Sequence, residues 1–297
     1  MANASYGSVA WFVVLTFAVA AAFVWAAGIE CRAQDEAPAK TRAWLVHASI
    51  LVLAYLAGSL AIAATGWLAR FDQRPPPFLL FVTFTTLATT ALAFSPLATR
   101  LVHRLGLAAL VGFQVFRVPL EALLYRLRTE GVVPLQMTFE GWNFDIVSGL
   151  SAGALGLWAL RGRPPHGAVL VWNLLGLALL SVIVGIALLS TPTPLRAFHN
   201  EPANTFVAYP PFVWIPGFLV QAAWFGHLLV FRKLAANTRA EPSNPAVGAD
   251  RRPTSSSWQR YGERRPLLLL TSVTVSHRRA LGGRDSSPHE VIGVGSN

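Results

Sequence analysis

The sequence predicts an all-α, polytopic membrane protein: a bundle of seven transmembrane helices with the N-terminus outside and the C-terminus inside. Three observations lead there. Of the 297 residues, 54% are hydrophobic and only 13% charged, where a soluble domain carries roughly 25% charged residues. The apolar residues gather into seven runs, each near the ~20 residues with which a helix crosses a ~30 Å hydrocarbon core. The arginines between those runs are shared unequally by the two sides.

The first run, Ser8–Gly28, follows "MANASYGS". That flank lacks the positive n-region of a signal peptide and the run is long, so an uncleaved span is expected. Trp44–Leu68, Phe78–Leu97 and Leu105–Tyr125 come next. The fifth run, Gly141–Leu160, is set by its charges: fifteen uncharged residues separate Asp145 from Arg161. To reach ~20 residues the helix must start near Gly141, which puts Asp145 at or just inside the boundary. Gly167–Ser190 and Phe212–Phe231 complete the set. Tryptophans mark the ends, as indole rings do at headgroups: Trp11, Trp67, Trp142 and Trp214 on the outer side, Trp25, Trp44, Trp158 and Trp172 on the inner. Gly149 with Gly153, Ser181 with Gly185, and the stripe Thr83, Thr86 and Thr90 read as seams where helix backbones approach closely.

With the N-terminus outside, the inner loops hold Arg32, Lys40, Arg42, Arg100, Arg104, Arg161 and Arg163. The outer loops hold only Arg70, Arg74, Arg126, Arg128 and Arg196. A basic C-terminal end widens that difference, so the positive-inside rule gives N-out, C-in. Residues 1–234 form the transmembrane domain. Residues 235–297 form a basic tail rich in Pro, Ser, Arg and Gly, expected to be disordered, in which "PLLLLTSV" is too short to span. From Arg232 onward lie 11 of the 24 basic residues but 5 of the 14 acids. A cationic end beside a bilayer meets anionic headgroups or nothing specific. No basic groove interleaved with stacking aromatics is present, which argues against a nucleic-acid partner.

Cys31 is the only cysteine, so an internal disulfide is excluded. The basic residues are almost all arginine and alanine is abundant, the compositional mark of a GC-rich bacterial genome. The expected location is the bacterial cytoplasmic membrane. A retinal Schiff base needs a lysine inside the bundle, and Lys40 and Lys233 are not so placed. No Walker loop, GxSxG or HExxH motif offers a hydrolase or ATPase.

The chemistry concentrates in "FQVFRVPLEALLYR", Phe113 to Arg126. Gln114, Arg117, Glu121, Tyr125 and Arg128 follow helical spacing and share one face. Placing Arg at a helix centre in lipid costs about 2.5–3.5 kcal/mol, so the stripe must face the bundle interior or a wet cavity, with Glu121 as partner of Arg117. Pro119 leaves the Val115 carbonyl without its helical donor and permits a kink, a break tolerated where it lines a cavity. Glu140, Asn143 and Asp145 follow on the same side. Asn143 caps the fifth helix and Asp145 meets its N-terminal dipole, or the three line the mouth of a pocket around Arg117 and Glu121.

His47, His103 and His227 come from three runs and fall near one depth, which leaves a haem or metal site as an alternative. No close histidine pair supports it, so no cofactor is expected. His199 with Glu201 is a weaker ligand pair.

The segments "FRVPLEALLY", "GVVPLQMTFEGWNFDIVSGL" and "YPPFVWIPGFLVQAAWFGHL" resemble parts of a group of uncharacterised bacterial multi-pass inner-membrane proteins. The resemblance covers Phe113 to Leu234 and stops before the arginine-rich end. It implies that Arg117, Glu121, Asn143 and Asp145 belong to a shared pattern, and it carries no activity. Three functional readings stay open. A small polar or anionic solute is bound or passed at a pocket formed by Arg117, Glu121, Gln114, Tyr125, Glu140, Asn143 and Asp145. Haem or metal at the histidines makes an enzyme or electron carrier. Or the charges only pin helices in a non-catalytic assembly protein. Seven spans with no visible inverted repeat weaken the transporter form of the first reading.

Overall fold

The computed structural model describes residues 4–32 and 38–240. Every regular element in them is helical: α1 Tyr6–Arg32, α2 Pro38–Ala64, α3 Pro77–Ala93, α4 Pro96–Arg104, α5 Leu107–Gly112, α6 Arg117–Thr129, α7 Asp145–Arg161, α8 His166–Leu189 and α9 Val220–Ala240. Five helical stretches are long and apolar enough to cross a bilayer: α1, α2, α5 with α6, α8, and Ile215–Thr238 around α9. Their outer faces carry what a lipid-facing surface carries. Leu51, Phe84 and Leu160 are 70%, 71% and 73% exposed, and apolar surface on this scale marks contact with membrane or partner rather than water.

The other two runs read from the sequence are helical but differ in form. The third ends at Ala93, because Ser95 and Pro96 start a new helix. The Ser95 hydroxyl accepts the Ala98 N–H at 3.3 Å and Pro96 takes the first helical position, the usual chemistry of a helix start. α4 then leaves α3 at 60°. The fifth begins at Asp145 rather than Gly141, since Thr138–Asn143 turns back on itself, with the Gly141 and Asn143 N–H groups donating to the Thr138 carbonyl. Both α3 and α7 have 17 residues.

α9 is the central helix, with 72% of its apolar window buried; α3, α4, α5 and α8 all pack on it. It continues to Ala240, beyond the boundary expected at residue 234. The expected disorder of the tail, and the run "PLLLLTSV", lie outside the described residues. Before α9 comes a π-helical turn, Ile215–Leu219. The carbonyl of Pro216 accepts the Gln221 side-chain amide at 3.0 Å, and that of Gly217 accepts the Tyr55 hydroxyl. π turns often occur where a functional site interrupts a helix.

Two expected interfacial tryptophans are instead used inside. Trp214 donates to the Leu56 carbonyl at 3.0 Å and Trp172 to the Ser151 hydroxyl at 3.0 Å, both buried. The seams are also only partly as expected. Thr86 and Thr90 accept hydrogen bonds from Gln221 and Trp224 across the α3–α9 contact. Thr83 is exposed. Ser181 is exposed and bonds its own Leu177 carbonyl, and a Cβ on Gly185 would meet nothing.

α6 ends at Thr129, and Gly131 just past its C-cap takes a φ of 74° that suits glycine. Glu130 beside it anchors the start of α1: it accepts from the Ser5 N–H at 2.9 Å and from the Ser5 and Ser8 hydroxyls at 2.6 Å, with Arg126 at 3.4 Å. Partial burial pushes this carboxyl up, but the hydrogen bonds from Ser5 and Ser8 outweigh it and hold it at about 2, against an ordinary 4.5. A depressed carboxylate stabilises the fold above its unfolded value and loses that contribution as pH falls toward the folded one. A spin label at position 6 in a Cys31→Ser background should therefore keep constant mobility above pH 4.5 and loosen as pH drops toward 2. In Glu130→Ala the label should already be mobile at neutral pH.

Candidate functional site

Position 117 sits at a change of helix type. α5 stops at Gly112, Phe113–Phe116 tightens into a 3-10 turn, and α6 begins at Arg117. Pro119 thus falls in the first turn of α6, where its missing N–H is least costly. Gln114, Arg117 and Glu121 are 0%, 1% and 2% exposed, so the polar stripe does face inward over its first two turns. Further along it leaves the core. The Tyr125 ring stacks on Phe139 with centroids 5.0 Å apart, and Arg128 pairs with Glu140 at 2.7 Å, both partly exposed.

The expected partner of Arg117 was Glu121; the ion contact is to Asp145 instead, Nε to Oδ2 at 3.1 Å. Nη1 donates to the Ser148 hydroxyl and lies 3.2 Å from His227 Nε2. Arginine has only donors, so Nε2 of that imidazole is the acceptor and Nδ1 carries the proton. Nδ1 then donates to Asn173 Oδ1 at 2.8 Å, while the Asn173 amide donates to the His227 carbonyl at 3.1 Å. Glu121 accepts instead from Asn143 Nδ2 at 2.7 Å. Asn143 also donates to the Met137 carbonyl at 3.0 Å and, through Oδ1, accepts the Asp145 N–H at 3.1 Å. It therefore holds the Glu121 carboxylate and, through the Asp145 N–H, the first residue of α7, acting from the position before the N-cap Phe144.

Two glycines let the helices come this close. A Cβ on Gly149 would lie 2.9 Å from Val118 Cγ2 and 3.1 Å from Arg117 Cβ. One on Gly176 would lie 2.6 Å from His227 Cε1 and 2.8 Å from Ser148 Oγ.

Beside this cluster lies a cavity of about 240 Å³ walled by α3, α6, α8, the π turn and α9, with Asp145 of α7 reaching into it. At ~30 Å³ per water it has room for several waters or a small solute. Four of its lining residues hold buried side-chain atoms without a hydrogen-bond partner: Arg117 Nε and Nη2, Asp145 Oδ1, Asn204 Oδ1 and Gln221 Oε1. Buried polar groups are rarely left so. The two amides are not candidates for a flip, because Asn204 Nδ2 donates to the Ala187 carbonyl at 2.9 Å and Gln221 Nε2 to that of Pro216.

Of the residues singled out in the sequence, Arg117, Glu121 and Asp145 line the cavity, and Asn143 holds Glu121 from behind. Gln114 is buried but turned to α9, donating to the Ala223 carbonyl at 3.0 Å. Tyr125 and Glu140 take no part. The histidines do not converge: His227 is in the core, whereas His47 and His103 are exposed and His47 contacts its own Ala43 carbonyl. Among the described residues no three His, Cys, Asp or Glu side chains are placed to hold a metal ion. Ser148, Asn173, Asn204, Gln221 and the position of His227 were missed. No spacing flagged them: Gln221 and His227 lie six residues apart, which does not place them on one helix face.

No family model, curated protein or solved structure matches the chain. The site is defined by its own geometry.

Two outcomes follow. Gly176→Ala forces a methyl against His227 and Ser148, and overpacking of this kind costs about 1–3 kcal/mol, measurable as a lowered unfolding temperature in detergent. Removing one partner of a buried ion pair costs about 3–5 kcal/mol, while replacing both by apolar residues is often tolerated. Arg117→Met should thus destabilise far more than Arg117→Met with Asp145→Leu, compared by the same thermal measurement.

Proposed function

We propose that the protein is a membrane-embedded binding protein that holds, and in one form passes, a small solute against Arg117, Asp145 and Glu121. The observation that carries this reading is the set of unpartnered buried polar atoms around a cavity large enough for a guest. A group built only to pin helices gains nothing from a hollow beside it, and each unsatisfied atom costs about 1–3 kcal/mol. Charge refines the guest. Arg117 is already matched by Asp145, and Glu121 has no cation of its own among these contacts. Two carboxyls against one guanidinium favour a neutral or cationic head over an anion.

The same proposal takes the chain to cross the membrane seven times, N-out and C-in, in the bacterial cytoplasmic membrane. The arginine distribution supports it, with α3 and α7 as short crossings of about 26 Å at 1.5 Å per residue.

Pinning is the second reading, favoured by the three protein contacts that hold Arg117. Glu121→Gln separates the two. It keeps the shape and still accepts from Asn143, but removes a charge from the cavity. Native mass spectrometry of wild type released from membranes should show a small-molecule adduct that Glu121→Gln loses at unchanged unfolding temperature. Identical spectra for both proteins would leave pinning as the role.

A further inference from the structure

The walls of the cavity say more about its guest than the charged cluster does. Eighteen of the 25 lining residues are apolar, so most of any occupant is in contact with hydrocarbon side chains. Access is from the side. Phe78, Val82 and Thr86 of α3 form one wall and Leu180, Val184 and Leu188 of α8 the opposing one. Yet α3 and α8 share almost no direct contact, each being held by α9. Along the gap Ser181 is exposed and Thr86, Val184 and Leu188 are part-exposed. Thr86 and Ser181 lie well inside their helices rather than at an end, and their outward neighbours Phe84, Leu87 and Val182 are exposed and apolar. The opening therefore faces the level at which a crossing helix meets acyl chains. A second cavity of about 370 Å³ shares Phe78 and Leu188 with the first and prolongs the seam toward Arg74.

The polar end of the guest is set by what the cavity leaves unmatched. Three of the five unpartnered atoms on lining residues are acceptor oxygens, on Asp145, Asn204 and Gln221; the two donors are Arg117 Nε, already in ion contact with Asp145 Oδ2, and Nη2. A primary ammonium offers three donors and no acceptor, which matches three acceptor oxygens grouped with the carboxyls of Asp145 and Glu121. Resting on the binding reading above, we infer that the site takes a single-chain amphiphile with a primary ammonium head, admitted from the bilayer between α3 and α8. The head sits at Asp145, Glu121, Asn204 and Gln221, and the chain lies along the apolar seam.

The test uses the full chain in phosphatidylcholine nanodiscs, with dodecylamine, dodecanoate and methylamine as probes and adducts counted by native mass spectrometry. Dodecylamine should bind at one per chain, and Glu121→Gln should weaken it at least tenfold. Ser181→Trp, which plugs the gap without touching the polar atoms, should slow its uptake at least tenfold, while Leu160→Trp on an exposed face elsewhere should not. Methylamine binding without dodecylamine binding would overturn the amphiphile and leave a solute site intact. Preference for dodecanoate, lost in Arg74→Gln, would overturn the head assignment. Normal uptake in Ser181→Trp would overturn lateral entry. No binding of any probe, with no adduct in wild type from membranes, would remove both this inference and the binding reading.

Discussion

An arginine 1% exposed at the middle of a bundle is the constraint to which the neighbouring helices answer. A guanidinium moved out of water is tolerable only when its donors and its charge are met by the protein. Asp145 supplies the charge from the first turn of α7, Ser148 a hydroxyl one turn on, and His227 a ring nitrogen from α9. Each forces a position. α7 must start level with Arg117, Gly149 must be small so that α7 can lie against Val118, and Gly176 must be small so that α8 clears His227. Asn173 then fixes the proton on His227 Nδ1. The packing of α6, α7, α8 and α9 is thus one consistent solution to the solvation of a single side chain.

That solution is incomplete on one side. Arg117 Nη2 and Asp145 Oδ1 lack partners, and so do amide oxygens that reach the same cavity from Asn204 and Gln221. The π turn at Ile215–Leu219 contributes, since Gln221 donates to a carbonyl of that turn and leaves its own oxygen at the cavity. A polar floor under apolar walls is the ordinary form of a small-molecule site, where few polar groups orient a mostly apolar guest. Here the walls belong to helices whose other faces carry exposed leucine, phenylalanine and valine, so that on the proposed binding role the chemistry of a guest is tied to that of the bilayer.

What the sequence by itself determined was whatever repeats along one helix. Apolar runs near twenty residues gave the helices and the membrane class, and 3.6-residue spacing put Gln114, Arg117 and Glu121 on one buried face. Charge spacing placed Asp145 near the outer boundary of its run, but the start of the helix, expected near Gly141, was moved to Asp145 by the turn at Thr138–Asn143. Tertiary structure decided what depends on rotation and approach between helices. Asp145 rather than Glu121 meets the guanidinium because α7 docks against Arg117 through Gly149, a contact twenty-eight residues away in the chain that no periodicity encodes. His227, Asn173, Asn204 and Gln221 join the site for the same reason, each from a different turn of the bundle, whereas Tyr125 stacks on Phe139 and Glu140 pairs with Arg128 away from it, the last turns of α6 burying Leu123, Leu124 and Leu127 instead. Periodicity is a property of one helix, and an ion pair between helices is a property of their packing.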